Sequence, residues 1–299
     1  MKKNFRRNLS LYVMLIPATI VLIVFAYVPL YGIIIAFQDF VPAKGLFGNQ
    51  EWIGLDNFIY ALSLPNFWQV VRNTVVIAVA KLFLGQVMAV AVAVGLTAIP
   101  FRKFRELVQT TIYLPHFVSW VVLAGIFTDM LSPEGGMVNQ LLEIIGVESI
   151  YFLGDTGTFP GTMVVLDIWK EVGFSSIVYY AALMGISQSL YEAAELDGAG
   201  FWGKLRYIML PGIMPIIILM ALLNMGNIFS AGFDQIFNMY SSQVYETADV
   251  LDTLVYRLGL MQRQYGVSAA VGLVKSCIST AIMGTAYYVA YKRLDYRIF

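Results

Sequence analysis

Three ionisable side chains, Asp167, Lys170 and Glu171, lie close together in an otherwise apolar stretch, and Trp169 lies among them. At helical spacing, positions i, i+3 and i+4 share one face of the helix. Charged groups at membrane depth are costly, so they pair or face a cavity. Aromatic faces cover the apolar side of a pyranose, and carboxylates bind its hydroxyls. The stretch predicts substrate contacts or, alternatively, an Asp167–Lys170 or Lys170–Glu171 ion pair that braces helices.

A second group of polar and aromatic residues follows later in the chain. Asn224 and Asn227 are one helical turn apart and project together. Phe233, Gln235 and Asn238 come shortly after them. This mixture of aromatic and amide side chains is typical of a saccharide site. The alternative is a structural role, in which the side chains form hydrogen bonds between membrane helices. We predict that both groups contribute to a substrate pathway.

The chain offers little for catalysis or metal binding. Its single cysteine, Cys277, and single histidine, His116, exclude a Cys/His metal cluster and a redox pair, and no nucleophile with a base is apparent. We therefore predict no catalytic residue, no metal ligand and no enzymatic activity. No carboxylate is obviously paired with His116, which we interpret as a helix-kink or packing residue. Lys81 and Lys275 also lie in apolar stretches and need partners or a water-exposed position.

The composition indicates which elements position these residues. The chain is 59% hydrophobic and 13% charged, its mean hydropathy is +0.73, and its formal net charge is zero. These values are typical of a membrane protein and give no indication of a nucleic-acid partner. About 20 apolar residues cross a bilayer as a helix. We predict six spans, at about 11–37, 70–98, 107–131, 161–186, 211–233 and 265–291.

Lys and Arg residues are concentrated in every second segment between the predicted spans. Four Lys or Arg residues precede the first predicted span, three lie in 99–106, two lie in 187–210 and three follow residue 291. The intervening segments hold Lys44, Arg257 and Arg263. Because cytoplasmic segments are enriched in Lys and Arg, both termini are predicted to be cytoplasmic.

One polar segment, EAAELDGAGFWGKLRYIMLP from Glu192 to Pro211, interrupts the apolar stretches. Asp197-Gly198 is a turn signal, because glycine tolerates a positive φ. We expect two short helices that meet at Gly198, with Pro211 opening the fifth span. The run from Gly198 to Lys204 lacks the final Ser or Thr of a phosphate loop and a preceding strand, so ATP binding by this chain is not expected. An amphipathic loop lying on lipid headgroups would also explain the segment.

The segment resembles the EAA motif of permease subunits of ATP-binding-cassette importers. The matching residues are Glu192, Ala193, Ala194, Gly198, Ile208, Leu210 and Pro211. The resemblance implies that 187–210 forms cytoplasmic coupling helices that dock into a cleft of an ATPase subunit. Glu192 would be the polar anchor, Ala193 and Ala194 the small contacts, and Asp197 and Gly198 the turn.

Three further stretches, 114–122, 232–260 and 270–276, resemble the carbohydrate-uptake branch of these permeases, which carries complex oligosaccharides and polysaccharides. The resemblance implies an all-α, polytopic protein with six transmembrane helices and the type I importer permease fold. Residues 1–299 would form a single transmembrane permease domain in the bacterial cytoplasmic membrane.

The resemblance also implies an assembly. The partners would be a second permease subunit, which the branch favours as a different chain, two copies of a cytoplasmic ATPase and an extracytoplasmic solute-binding protein. This chain would hold no cofactor itself, because ATP and Mg²⁺ would be bound by the ATPase. The alternative is an ion-coupled secondary transporter that uses Asp167 or Glu171, although we find no repeated halves of the kind such transporters carry.

Overall fold

A computed structural model describes residues 9–226 and 228–294 of the 299-residue chain. These residues form two compact units. The first unit comprises the described residues up to Phe67 together with Leu254–Val274, and the second comprises Trp68–Thr253 together with the described residues from Lys275 onward.

The first unit begins with a long apolar helical run. Its elements up to Phe67 are α1 (Leu9–Leu22), a π-helical turn (Ile23–Tyr27), a 3₁₀ segment (Val28–Phe37), β1 (Gln38–Asp39), a 3₁₀ turn (Pro42–Lys44), β2 (Glu51–Trp52) and α2 (Asp56–Ser63). β1 and β2 pair antiparallel with Gln38 opposite Trp52. The Asn57 amide donates to the carbonyls of Ala36 and Gln38, both at 3.0 Å. These bonds fix the end of the helical run to α2.

The second unit contains the predicted site residues that the structure describes. Its helices begin with α3 (Phe67–Thr97), α4 (Arg102–Tyr113) with a 3₁₀ turn (Leu114–Phe117), α5 (Trp120–Met130), α6 (Met137–Ile144) and α7 (Phe159–Met184). They continue with α8 (Gln188–Leu196), α9 (Phe201–Lys204), a π-helical turn (Leu205–Met209), α10 (Leu210–Met225), α11 (Phe233–Met239), a 3₁₀ turn (Ser242–Val244) and α12 (Tyr245–Ala248). Two of the last elements, α13 (Leu251–Tyr256) and α14 (Tyr265–Leu294), contribute to both units, and the π-helical turn between them (Arg257–Met261) belongs to the first unit.

Four helical runs of the described chain are long and apolar enough to cross a membrane: Tyr12–Phe37, Phe67–Thr97, Phe201–Met225 and Tyr265–Lys292. A fifth is possible if the bent pair Arg102–Phe117 and Trp120–Met130 counts as one span. α7 has sufficient length, but its three ionisable residues distinguish it from this apolar set. The count of six spans and the cytoplasmic termini stay predictions.

The third predicted span, 107–131, is not one continuous helix. The chain bends by 101° between Phe117 and Trp120. Pro115 lies in the 3₁₀ turn before the bend, and Val118 is extended. Ser119 then caps α5, with its hydroxyl accepting from the Val122 N–H at 3.4 Å. A proline without an N–H, followed by a serine cap, explains why the helix stops and restarts here.

The second of the two short helices predicted before the fifth span is not a separate helix. α9, the π-helical turn and α10 form one continuous run from Phe201 to Met225, so Pro211 lies inside this run. The π-helical turn is closed by a bond from the Leu210 N–H to the Leu205 carbonyl. Widened helical turns of this kind help to accommodate the hydrogen bond that a proline removes in a membrane helix.

Candidate translocation cavity and coupling loop

An open cavity of about 320 Å³ lies among α3, α7, α10 and the segment that follows α10. Its wall combines apolar side chains with a set of polar ones: Lys81, Gln86, Asp167, Glu171, Ser175, Asn224 and Ser230. The buried aromatic ring of Tyr179 adds one flat surface. A small molecule rich in hydroxyls would meet donors, acceptors and a ring face here.

Lys81 is the centre of the hydrogen bonds on one side of the cavity. Its ammonium lies 3.1 Å from an Asp167 carboxylate oxygen and donates to the Ala231 carbonyl at 2.8 Å. It also donates to the side-chain oxygen of Gln235. The Gln235 amide in turn donates to the Met163 carbonyl at 2.8 Å. The lysine thus joins α3 to α7, to α11 and to the segment before α11, and its charge is neutralised by Asp167.

Gly232 makes this arrangement possible. Its φ is +91°, a conformation that L side chains rarely adopt. A Cβ at this position would lie 2.8 Å from the Lys81 ammonium nitrogen. The glycine therefore lets the backbone turn and approach the lysine closely.

Glu171 carries a second set of contacts. One carboxylate oxygen lies 2.6 Å from His116 Nδ1, and the other accepts from the Lys170 ammonium at 2.8 Å. Lys170 is buried and also donates to the His116 carbonyl at 2.8 Å. The imidazole stacks on Phe174 with 4.0 Å between ring centroids. These contacts tie the bend after α4 to α7.

The predicted ion pairs are realised in part. Lys170 pairs with Glu171, as one prediction had it, but Asp167 pairs with Lys81 rather than with Lys170. His116 has a carboxylate partner that its sequence neighbours do not indicate. Lys275 pairs with Asp252.

The cavity includes three of the predicted pathway residues, Asp167, Glu171 and Asn224. Five others lie elsewhere. Trp169 packs edge-on against Phe127 with 5.4 Å between ring centroids, and Lys170 is paired with Glu171. Gln235 is fully buried and hydrogen-bonded to Lys81. Phe233 stacks on Phe237, and Asn238 donates to the Asp234 carbonyl. Asn227 lies outside the described residues.

Sequence reasoning missed several residues of the cavity wall, among them Gln86, Ser175 and Tyr179. Each stands on a long helix among apolar neighbours, where no local pattern distinguishes a wall position from a packing position. In the part of the chain that the structure describes, no group of three or more His, Cys, Asp or Glu side chains could hold a metal ion.

In the segment 187–210, which is predicted to form the coupling helices, α8 ends in the turn predicted at Gly198. The Gly198 φ is +74°. Its N–H donates to the Glu195 carbonyl at 3.0 Å, and the Ala199 N–H donates to the Ala194 carbonyl at 2.8 Å. This pair of bonds is a Schellman motif, which closes a helix at a glycine. The Lys204 ammonium, 2.6 Å from Glu195, bridges the turn.

The outer face of α8 is exposed, whereas its inner face packs against a core cluster. Glu192 and Ala193 are exposed, and Leu196 is 91% exposed. Tyr191 faces inward against the cluster that contains Tyr179, Met209 and Ile213. Burial raises the pKa of the Tyr191 hydroxyl, against a smaller lowering by Lys204. The loop therefore presents polar and apolar groups outward from a packed base.

Comparison with known proteins agrees with this geometry. Residues 81–297 match the family described as binding-protein-dependent transport system inner membrane component. The chain is 36% identical over 282 residues to the polygalacturonan/rhamnogalacturonan transport system permease protein YteP of Bacillus subtilis, covering 94% of this chain and 88% of that protein.

Two crystal structures are also similar. One is a bacterial ABC transporter involved in the import of the acidic polysaccharide alginate, with 36% identity, a TM-score of 0.89 and coverage of 97% of this chain and 98% of the other. The second is a bacterial alginate ABC transporter in complex with an alginate pentasaccharide-bound periplasmic protein, with 35% identity, a TM-score of 0.89 and 98% coverage of both chains. The chain therefore belongs to the binding-protein-dependent transport system inner membrane components, the permease subunits of ATP-binding-cassette importers.

Proposed function

We propose that this chain is one transmembrane subunit of an ATP-driven importer that moves an oligo- or polysaccharide across the cytoplasmic membrane by alternating access. The saccharide class rests on the similar proteins, whose names refer to polygalacturonan, rhamnogalacturonan and alginate. The route through this subunit is the cavity beside Lys81 and Asp167.

The observation that carries the proposal is that the segment 187–210 connects two walls of the cavity along the chain. α7 bears Asp167 and Glu171 and ends only a few residues before α8 begins. The chain then turns at Gly198 and enters the continuous run that ends near Asn224. A displacement of α8 would therefore act on both walls. Tyr191, Leu205 and Met209 pack in one cluster, which makes the connection stiff.

The wall of the cavity suits a saccharide better than an ion. Asp167 and Glu171 both hold cationic or imidazole partners, so neither is an isolated carboxylate of the kind that carries a coupling proton. The volume falls within the range of about 300–1,000 Å³ for small-molecule sites. Ser175, Asn224 and Ser230 add neutral hydroxyl and amide groups for sugar hydroxyls.

The proposed assembly has six spans in this chain with both termini in the cytoplasm, which puts the segment 187–210 beside the ATPase. A second, different permease subunit, two ATPase copies and an extracytoplasmic binding protein complete it. ATP and Mg²⁺ are bound by the ATPase in this proposal. The crystal structure of a similar transporter with a periplasmic protein supports the binding-protein partner.

The test begins with affinity purification of the tagged chain and its partners in mild detergent, followed by uptake in proteoliposomes. We expect an ATPase and a second permease to copurify, and Glu192→Lys to lose the ATPase. Glu143→Lys, at an exposed position predicted to face the other side of the membrane, is the control and should retain it. Saccharide uptake driven by an ion gradient without ATP would contradict the proposal.

A further inference from the structure

Glu171 belongs to a column of polar residues along one face of α7. Asp167, Glu171 and Ser175 are four residues apart in sequence, so they lie above one another on the helix, and all three line the cavity. The Glu171 side chain is 35% exposed. Its carboxylate can therefore meet a ligand in the cavity while it keeps its contacts with the protein.

Two donors at the bend after α4 hold this carboxylate. His116 Nδ1 lies 2.6 Å from one oxygen, and the Lys170 ammonium donates to the other at 2.8 Å. Because Glu171 accepts from an ammonium, we assign the imidazole as a second donor, with a proton on Nδ1. The terminal torsion of a glutamate is broad, and one donor on each oxygen fixes the plane of the carboxylate.

The two donors are themselves fixed, and by separate contacts. The imidazole stacks on Phe174 with 4.0 Å between ring centroids and 2° between ring planes. Lys170 is buried, lies 5.5 Å from the centroid of the Trp120 ring and donates to the backbone carbonyl of His116 at 2.8 Å. That bond does not involve the imidazole. A substitution of the His116 side chain therefore removes one donor to Glu171 and leaves the other in place.

The held carboxylate can still accept further hydrogen bonds. A carboxylate has about four positions at which it accepts, and His116 and Lys170 use two of them. The directions of the others are set by the plane of the group, and neighbouring hydroxyls of a pyranose are suitable donors for them.

We propose that His116 is a positioning residue for saccharide transport. Its Nδ1–H holds Glu171 in the orientation in which the carboxylate accepts hydroxyl groups of the saccharide. This inference rests on the proposed function, and it extends the binding site from the cavity wall to the bend after α4.

The experiment measures the maximal rate of uptake by the complete importer in proteoliposomes at saturating binding protein. The probes are alginate pentasaccharide, oligogalacturonides and arabino-oligosaccharides, and the one that the wild type takes up fastest is used. His116→Phe keeps a flat ring against Phe174 but removes the donor. His116→Asn removes the ring but keeps an N–H close to the position of Nδ1, and it is the matched control. Copurification of the ATPase and the second permease checks that each variant assembles.

We expect His116→Phe to lower uptake about 5-fold, the factor that corresponds to about 1 kcal/mol for one hydrogen bond. His116→Asn should stay within about 2-fold of the wild type. In a Glu171→Ala background, His116→Phe should cause no further loss, because His116 acts through the carboxylate. If His116→Phe does not assemble, His116→Leu takes its place, since Leu and Asn share a branched shape and differ in the N–H.

Three results would overturn the inference and leave the proposed function intact. Loss of uptake in His116→Asn but not in His116→Phe would make stacking on Phe174 the contribution of His116. Equal uptake by the two variants would show that the donor does not matter. A further loss in the Glu171→Ala background would show that His116 acts on the bend and not through Glu171. A wild-type importer that takes up no saccharide of the panel would refute the proposed function, and the inference with it.

Discussion

Replacing Lys81 with methionine should destabilise the protein more than replacing Asp167 with asparagine, although both changes remove the same ion pair. The reason is that Lys81 serves more than one acceptor. Besides Asp167, it donates to the Ala231 carbonyl and to the Gln235 side-chain oxygen. Both of those residues are fully buried, and the Lys81 side chain is 9% exposed.

The magnitudes follow from the groups that lose a partner. In Lys81→Met two buried acceptors are orphaned, at about 1–3 kcal/mol each, while the Asp167 carboxylate, 24% exposed, stays hydrated from the cavity. The expected loss of stability is about 2–6 kcal/mol, the sum for two orphaned acceptors. In Asp167→Asn the amide oxygen still accepts from Lys81, and the loss is about 1–2 kcal/mol, the difference between a charged and a neutral hydrogen bond.

The assay is unfolding of the purified chain in one detergent, monitored by tryptophan fluorescence during a titration with dodecyl sulfate. Lys44→Met, which changes an exposed lysine, should stay within about 0.5 kcal/mol of the wild type. Equal losses for the two cavity variants, or a larger loss for Asp167→Asn, would refute the reasoning. In that case the ion pair, and not the bonds to Ala231 and Gln235, would fix Lys81.

Three further substitutions probe the helix contact, the turn and the surface. A Cβ in Gly173→Ala would overlap a backbone carbonyl of α4, so thermal unfolding should show a loss of about 1–3 kcal/mol, whereas Gly125→Ala meets open space and should show none. Gly198→Ala forces a side chain into a positive φ at a cost of about 1–2 kcal/mol, and it should reduce the saccharide taken up per ATP hydrolysed in proteoliposomes. Glu195→Gln breaks an exposed ion pair and should change the unfolding free energy by less than about 1 kcal/mol; a larger change would show that the pair holds the turn.

Local features of the fold could be predicted from the sequence. The turn at Gly198 follows from an Asp-Gly pair, because glycine adopts a positive φ without strain. The break after α4 had local signals too, in Pro115 and in the Ser119 cap, but the apolar residues around them gave the appearance of one span. The continuous run through Pro211 had no such signal, since the π-helical turn before it depends on packing.

The contacts of the cavity could not be predicted, because their partners are distant in sequence. Lys81 and Asp167 stand on different helices, as do His116 and Glu171. The sequence indicated that each charge needs a partner, and the i, i+3 spacing offered Lys170 for Asp167. Only the packing of α3 against α7 gives Asp167 its own lysine, and this packing depends on many apolar residues at once.

The bonds around Lys81 bear on how the cavity would open in the proposed transport cycle. An ionisable residue at the centre of a membrane helix costs about 2.5–3.5 kcal/mol, so α7, as the predicted fourth span, would need partners for its charges. Lys81 has two bonds to the segment that contains Ala231 and Gln235, but one ion pair to Asp167 on α7. If α7 moved away from α3 and from this segment, which would also break the bond from Gln235 to the Met163 carbonyl of α7, Lys81 would keep its neutral partners. In the proposed transport cycle, Asp167 would then lose its counterion as the cavity widens, and the hydroxyl groups of a saccharide would donate to the carboxylate in place of the lysine.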